Sequence, residues 1–231
     1  MTLIFIINFA AQSSFKIYQM NKQNEHLETL AEIRSLMERS SRFISLSGLS
    51  GVFAGIFALI GAFAAYLYFN LNTSSMRYYE YAFNPDGGRN VNFYVFFFAD
   101  AVSVLVASLV FGSFFTIRKA KKKEQTIWDA SAKRMLINLL IPLSSGGLFC
   151  LILLYHGYVG IVAPATLLFY GLALLNASKY TLEDIRYLGI CEIILGLISS
   201  IYYGYGLLFW ALGFGVLHII YGTYMYFKYE R

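Results

Sequence analysis

Three ionisable side chains stand inside otherwise apolar stretches: Asp100, Glu192 and His218. A charge at the centre of a bilayer costs at least about 2.5–3.5 kcal/mol on insertion scales, so such groups face a bundle interior and find partners. Two carboxylates that titrate beside an imidazole that passes a proton are the parts of a proton or ion relay. The same groups can instead hydrogen-bond across helices and lock the packing. With three such groups, and no sodium-site or substrate signature, the sequence favours that structural role. A rise of about 1.5 Å per residue sets Asp100 about 13 Å and His218 about 18 Å from the outer ends of their helices. Glu192 lies about 10 Å from the inner end of its own, which predicts one shared layer near the midplane.

Other chemistries find no support. There is no His-Glu-x-x-His pair, Gly-x-Ser-x-Gly elbow, phosphate-binding loop or cofactor fingerprint. The expectation is a chain that is not an enzyme and holds no cofactor or metal. His156 and His218 fall at different depths, which argues against haem held by two histidines. Cys150 and Cys191 lie in apolar segments and read as small buried hydrophobes. Pro142 and Pro164 mark either broken helices at a substrate site or ordinary kinks.

The elements that position these residues follow from composition. The 231 residues are 58% hydrophobic and 13% charged, about half the charge of an ordinary globular chain. The charges cluster and leave stretches of about 20 apolar residues, the length that crosses a bilayer as a helix. The expected fold is therefore all-α: a polytopic membrane helix bundle with six transmembrane helices, preceded by a cytoplasmic amphipathic helix. The spans fall at about 44–69, 91–117, 135–155, 157–177, 185–204 and 206–227. Residues 20–42 form the juxtamembrane helix, with Leu27, Leu30, Ile33 and Met37 on one stripe. Residues 1–19 read as a disordered or mis-called extension, with Met20 as the natural start. Ser47, Gly51 and Gly55 recur every four residues, a pattern that brings two membrane helices close. Residues 70–92, with the turn Asn84-Pro85-Asp86-Gly87-Gly88, suggest a short hairpin or an ordered flap. Thr181 and Asp184 have the spacing of a helix cap and its returning acid.

Of the 18 lysines and arginines, all but Arg77 and Arg89 fall before the first span, in the second and fourth connections, or in the tail. The positive-inside rule then puts both termini in the cytoplasm. A net charge of +5 distributed in this way points to the lipid bilayer as partner and not to nucleic acid. The basic stretch 118–134 is a topology anchor near anionic lipid; it and the amphipathic helix are also the surfaces offered to a protein partner. A further echo, Phe169-Tyr170-Gly171 against Ile220-Tyr221-Gly222, hints that the last four spans are two related hairpins.

The stretch EIRSLMERSSRFISLSGLSGVFAGIFALIGA, together with GYGLLFWALGFGVLHIIYG, resembles uncharacterised bacterial six-pass inner-membrane proteins from about Met20 onward. The resemblance implies a bacterial inner-membrane location and carries no activity or site residues. Two functions remain in view. One is a non-enzymatic assembly, sensing or regulatory module; the other is a small proton- or ion-coupled carrier working through Asp100, Glu192 and His218.

Overall fold

The structure is a computed structural model that describes residues 46–71, 77–124 and 128–231. The expected extension 1–19, the amphipathic helix 20–42 and the first residues of the first span lie outside the described residues.

Five helices are long and apolar enough to cross a membrane. The first three are Gly48–Tyr68 (α1), Val91–Lys122 (α2) and Ala130–Tyr155 (α3). Val162–Ala177 (α4) is extended by a short 3₁₀ turn at each end. The last, α6, runs through three segments: Gly206–Trp210, a π-helical Ala211–Leu217, and His218–Tyr229. Between α4 and α6 lies Asp184–Ile201 (α5), whose 18 residues include Asp184, Arg186 and Glu192. Those three charges set it apart from the five apolar helices.

The outer surface shows what solvent suits the bundle. Ile60, Phe63 and Leu67 on α1, Leu105, Leu109 and Val110 on α2, and Ile141 and Leu148 on α3 are each more than half exposed. Soluble monomers rarely expose contiguous apolar surface beyond a few hundred Å², whereas lipid tails welcome it. This is a multi-pass membrane protein.

The helices form two sets. α1 sits between α2 and α6, and α4 sits between α3 and α5, with α6 touching both α4 and α5. At one end, here the basic end, lie Lys119, Lys121–Lys123, Lys133, Arg134, Lys179, Arg186 and Lys228. At the other lies the segment 77–90. It is an ordered flap: a 3₁₀ turn Tyr78–Ala82, one isolated bridge between Phe83 and Arg89, and a tight turn closed by Asn84 N–H to Gly88 O at 2.7 Å. No two-stranded hairpin forms among the described residues, because the chain turns back after one bridge to enter α2. The buried Tyr78 donates its hydroxyl to Val159 O at 3.3 Å, Arg89 reaches Tyr155 O, and the Phe83 ring packs on Gly157, whose φ of +82° needs a residue without a side chain. The flap thus ties α2 to the connection between α3 and α4.

Small residues let the helices approach. A Cβ on Gly55 would fall 2.6 Å from Gly215 O, and one on Gly222 would fall 2.6 Å from Val52 N. Gly51 and Gly55 therefore belong to the α1–α6 seam, as the four-residue spacing predicts. Ser47 does not share that role: it precedes α1, and Gly48 takes its place against Tyr226. A second seam joins α4 to α5, where a Cβ on Gly171 would fall 2.6 Å from Gly189 O and one on Gly196 would fall 3.0 Å from Pro164 O. In lipid such contacts hold helices by dispersion and close backbone approach.

Both prolines are accommodated without a break. Pro142 removes the amide that would bond Asn138 O, and Asn176 Nδ2 from α4 fills that place at 2.9 Å. Pro164 is in the first turn of α4, where a missing amide costs nothing.

Candidate functional site

Glu192 and His218 meet at the middle of their helices. Glu192 projects from α5 beneath α6 and is 0% exposed; His218, at the end of the π-helical segment, is 6% exposed. His218 Nδ1 lies 3.4 Å from Glu192 Oε1. Gly213 makes room for the carboxyl, since a Cβ there would come within 2.5 Å of Glu192 Oε2.

The imidazole is oriented by two further contacts. Its Nδ1 is 3.0 Å from the Gly213 carbonyl oxygen, and its Nε2 is 2.8 Å from the Tyr170 hydroxyl of α4. A carbonyl only accepts, so Nδ1 carries the proton in the neutral ring and Nε2 accepts from Tyr170. Phe214 lies nearly parallel to the His218 ring at 5.9 Å and beside Tyr170 at 4.9 Å. The wide π turn matters here: π segments are rare and concentrate at functional sites, and this one presents the Gly213 carbonyl to the ring five residues on.

Glu192 is less well supplied. Neither of its oxygens has a hydrogen-bond partner among the described residues. Leaving a buried polar group unpaired costs about 1–3 kcal/mol, and more when charged. Among the described residues the other orphan buried side-chain atoms are Ser199 Oγ, on the same face of α5, and Tyr94 Oη on α2.

Asp100 stands apart from this pair. Its carboxyl lies against Gly61 of α1, with Oδ1 at 3.2 Å from where a Cβ would be. The His218 carbonyl oxygen lies beside Gly51 of the same helix, and the Ile219 amide nitrogen that follows lies beside Gly55. The six to ten intervening residues separate the two levels by about 9–15 Å. Of the three residues expected in one layer, Glu192 and His218 stand together, joined by Tyr170, and Asp100 does not.

A second polar cluster closes the basic end. The Glu230 carboxylate accepts from Ser47 Oγ at 3.1 Å and from Gly48 N–H at 2.5 Å, and sits 3.6 Å from Lys119 Nζ. It thereby caps α1 in trans, at the end where the helix dipole favours an anion. Lys119 also donates to Leu46 O, and Lys123 donates to Tyr229 O at 2.9 Å. Next to it, Asp184 accepts from Lys228 Nζ at 2.8 Å and from Tyr229 Oη at 2.7 Å. Burial pushes the Asp184 carboxyl up, but these bonds outweigh it and hold the group below the usual carboxylate value. Asp184 thus ties the start of α5 to the end of α6; the cap its spacing predicts is not the one observed, since Glu183 holds the capping position, without a side-chain cap bond, and Asp184 is the first helical residue. The basic stretch is likewise more than an anchor, because α2 continues five residues past Ile117 and carries Lys119 inside.

Tyr170, Gly213, Ser199 and Glu230 are the site residues that sequence reasoning missed. Tyr170 lay in the repeated Phe-Tyr-Gly echo and Gly213 in the Leu-Gly-Phe-Gly run, but neither signal names a partner. Compared with known proteins, the chain matches no family model, no curated protein and no solved structure.

Proposed function

We propose that this is a six-pass protein of a bacterial inner membrane, α5 being the sixth span, with both termini in the cytoplasm. In this reading it is a non-enzymatic, proton-coupled carrier whose proton site is Glu192, read by His218 and Tyr170. The observation that carries this is the orphaned carboxyl. A glutamate kept to lock helices together would have its oxygens hydrogen-bonded, as buried polar groups generally are; Glu192 has neither bonded. A group held this way gains most from changing its proton count.

The geometry supports a balanced relay. A proton reaching the Tyr170 oxygen lets the tyrosine O–H proton pass to His218 Nε2. The imidazolium so formed releases its Nδ1 proton to ionised Glu192 Oε1. The tyrosine hydroxyl is restored, one proton has moved from α4 to α5, and the imidazole is left in its other tautomer.

The test is a pH titration of the reconstituted protein by infrared difference spectroscopy, with Glu192→Gln as reference. A carboxyl band that follows pH and is missing from Glu192→Gln supports the reading. Identical spectra for the two proteins refute it. Solutes retained after purification in mild detergent are then the candidates for proton-driven uptake.

The module reading rests on a different observation. Leu46 and Ser47, where the described chain begins, bind directly to Lys119 and Glu230, so a partner pulling on residues 20–42 would act on the clasp. Under that reading deletion of residues 20–40 abolishes function and Glu192→Gln does not.

A further inference from the structure

Resting on the proton site just described, we propose that Glu192 exchanges protons with the flap end of the bundle, along the face of α5 that carries Ser199, and not with the basic end. Glu192, Gly196 and Ser199 are spaced by four and three residues and share one buried face. Ser199 is 0% exposed and its hydroxyl has no partner among the described residues. It lies about 10 Å from Glu192 along the helix, two residues before α5 ends at Ile201. Two orphan polar groups in line, one at the centre and one near a rim, are the anchors that a short file of water needs.

On the opposite side of Glu192 the polar groups satisfy one another. Cys191 Sγ and Tyr221 Oη pair at 3.9 Å, Asn176 is bonded to Asn138, and Asp184 is held by Lys228 and Tyr229. The titratable groups facing Glu192 are His218 from α6 and, beyond it, Tyr170 from α4; α4 otherwise offers Leu167, packed with Gly213. Among the described residues no buried side-chain atom is orphaned toward the basic end as Ser199 is toward the flap end.

Between Ser199 and Glu192 the route is shut. A Cβ on Gly196 would fall 2.9 Å from Leu168 N and 3.0 Å from Pro164 O, so the α4 backbone closes the seam at that level. Proton exchange therefore requires α4 and α5 to part at Gly196, beside the turn that already contains Pro164. The seam is the gate and Ser199 is the positioning residue on its outer side.

The experiment follows the Glu192 infrared band after a pH jump confined to the bath, on vesicles sorted so that either the flap end or the basic end faces out. With the flap end outward the band should respond at least tenfold faster than with the basic end outward. Ser199→Ala should slow the flap-side response about tenfold while leaving the equilibrium titration in place. Ser199→Thr, which keeps the hydroxyl, should respond like the natural protein. Faster entry from the basic end, or an unchanged rate in Ser199→Ala, overturns the route and leaves the proton site standing. A band that persists in Glu192→Gln overturns both.

Discussion

Replacing Glu230 by Ala tests the clasp at the basic end, where one carboxylate holds three partners. The side chains of Glu230 and Lys119 are 10% and 6% exposed, so their charges meet largely away from solvent. Removing one member of a buried pair costs about 3–5 kcal/mol, because the remaining charge loses its counter-ion. Lys119 keeps its bond to Leu46 O, which argues for the lower end, about 3 kcal/mol. The cap on α1 also goes, since Ser47 Oγ and Gly48 N–H lose their acceptor, adding about 1 kcal/mol. The expected cost is therefore about 4 kcal/mol, read as equilibrium unfolding in mixed micelles. Lys119→Met separates the two contributions: in that background Glu230→Ala should cost only the cap. A Glu230→Ala variant within about 1 kcal/mol of the natural protein would refute the reasoning. So would a double-mutant cycle that is additive within about 0.5 kcal/mol.

Four further perturbations have defined outcomes. Because the Asp184 carboxyl is held below its usual value, its bonds to Lys228 and Tyr229 contribute stability above the unfolded carboxylate range and lose it as pH falls through the lower folded value. The melting temperature should drop in acid for the natural protein, and Asp184→Asn should flatten that limb while lowering stability at neutral pH. Gly222→Ala puts a methyl 2.6 Å from Val52 N and 2.7 Å from Gly48 O, backbone atoms that move only with their helix, and should cost about 1–3 kcal/mol. Gly147→Ala meets nothing within 4 Å and should be neutral or stabilising by up to about 1 kcal/mol in the same unfolding assay. Asn176→Ala leaves the Asn138 carbonyl unpaired and should cost about 1 kcal/mol; Pro142→Ala restores the helical amide beneath it and should make Asn176→Ala nearly silent.

What the sequence told of the fold was what periodicity and hydropathy can carry. Helix placement followed from where charge is absent, and Gly51 and Gly55 announced a close seam by spacing alone. The boundaries were less legible: Lys119 and its neighbours read as a loop, yet the helix runs on to Lys122 because Glu230 compensates the lysine inside. That partner is more than a hundred residues away, so no local pattern reports it. The Gly171–Gly189–Gly196 seam went unread for a similar reason, its members being split across two helices and a turn. Of the site, Glu192 and His218 were visible as polar residues in apolar runs. Asp100 carried the same signal and lies at another level, because a rise counted along one span does not fix where it stands against its neighbours. Tyr170 was hidden among 19 tyrosines, distinguished only by a contact formed in three dimensions.

The bundle's treatment of its other buried polar groups bears on what Glu192 is for. Where Pro142 frees a carbonyl, Asn176 meets it; where Lys119 is drawn inside, Glu230 and Leu46 meet it; where Asp184 is covered, Lys228 and Tyr229 meet it. Partners, donors or acceptors as each case requires, thus meet the polar groups that packing alone would leave stranded. Against that background three of the four orphan side-chain atoms among the described residues belong to Glu192 and Ser199, on one face of one helix. Departures from polar satisfaction that cluster this way mark sites kept for function at a cost in stability. The π-helical segment points the same way, since the Gly213 carbonyl within it lies 3.0 Å from His218 Nδ1. The wide turn and the unpaired carboxyl fall on the same few residues, and a purely structural pair would need neither.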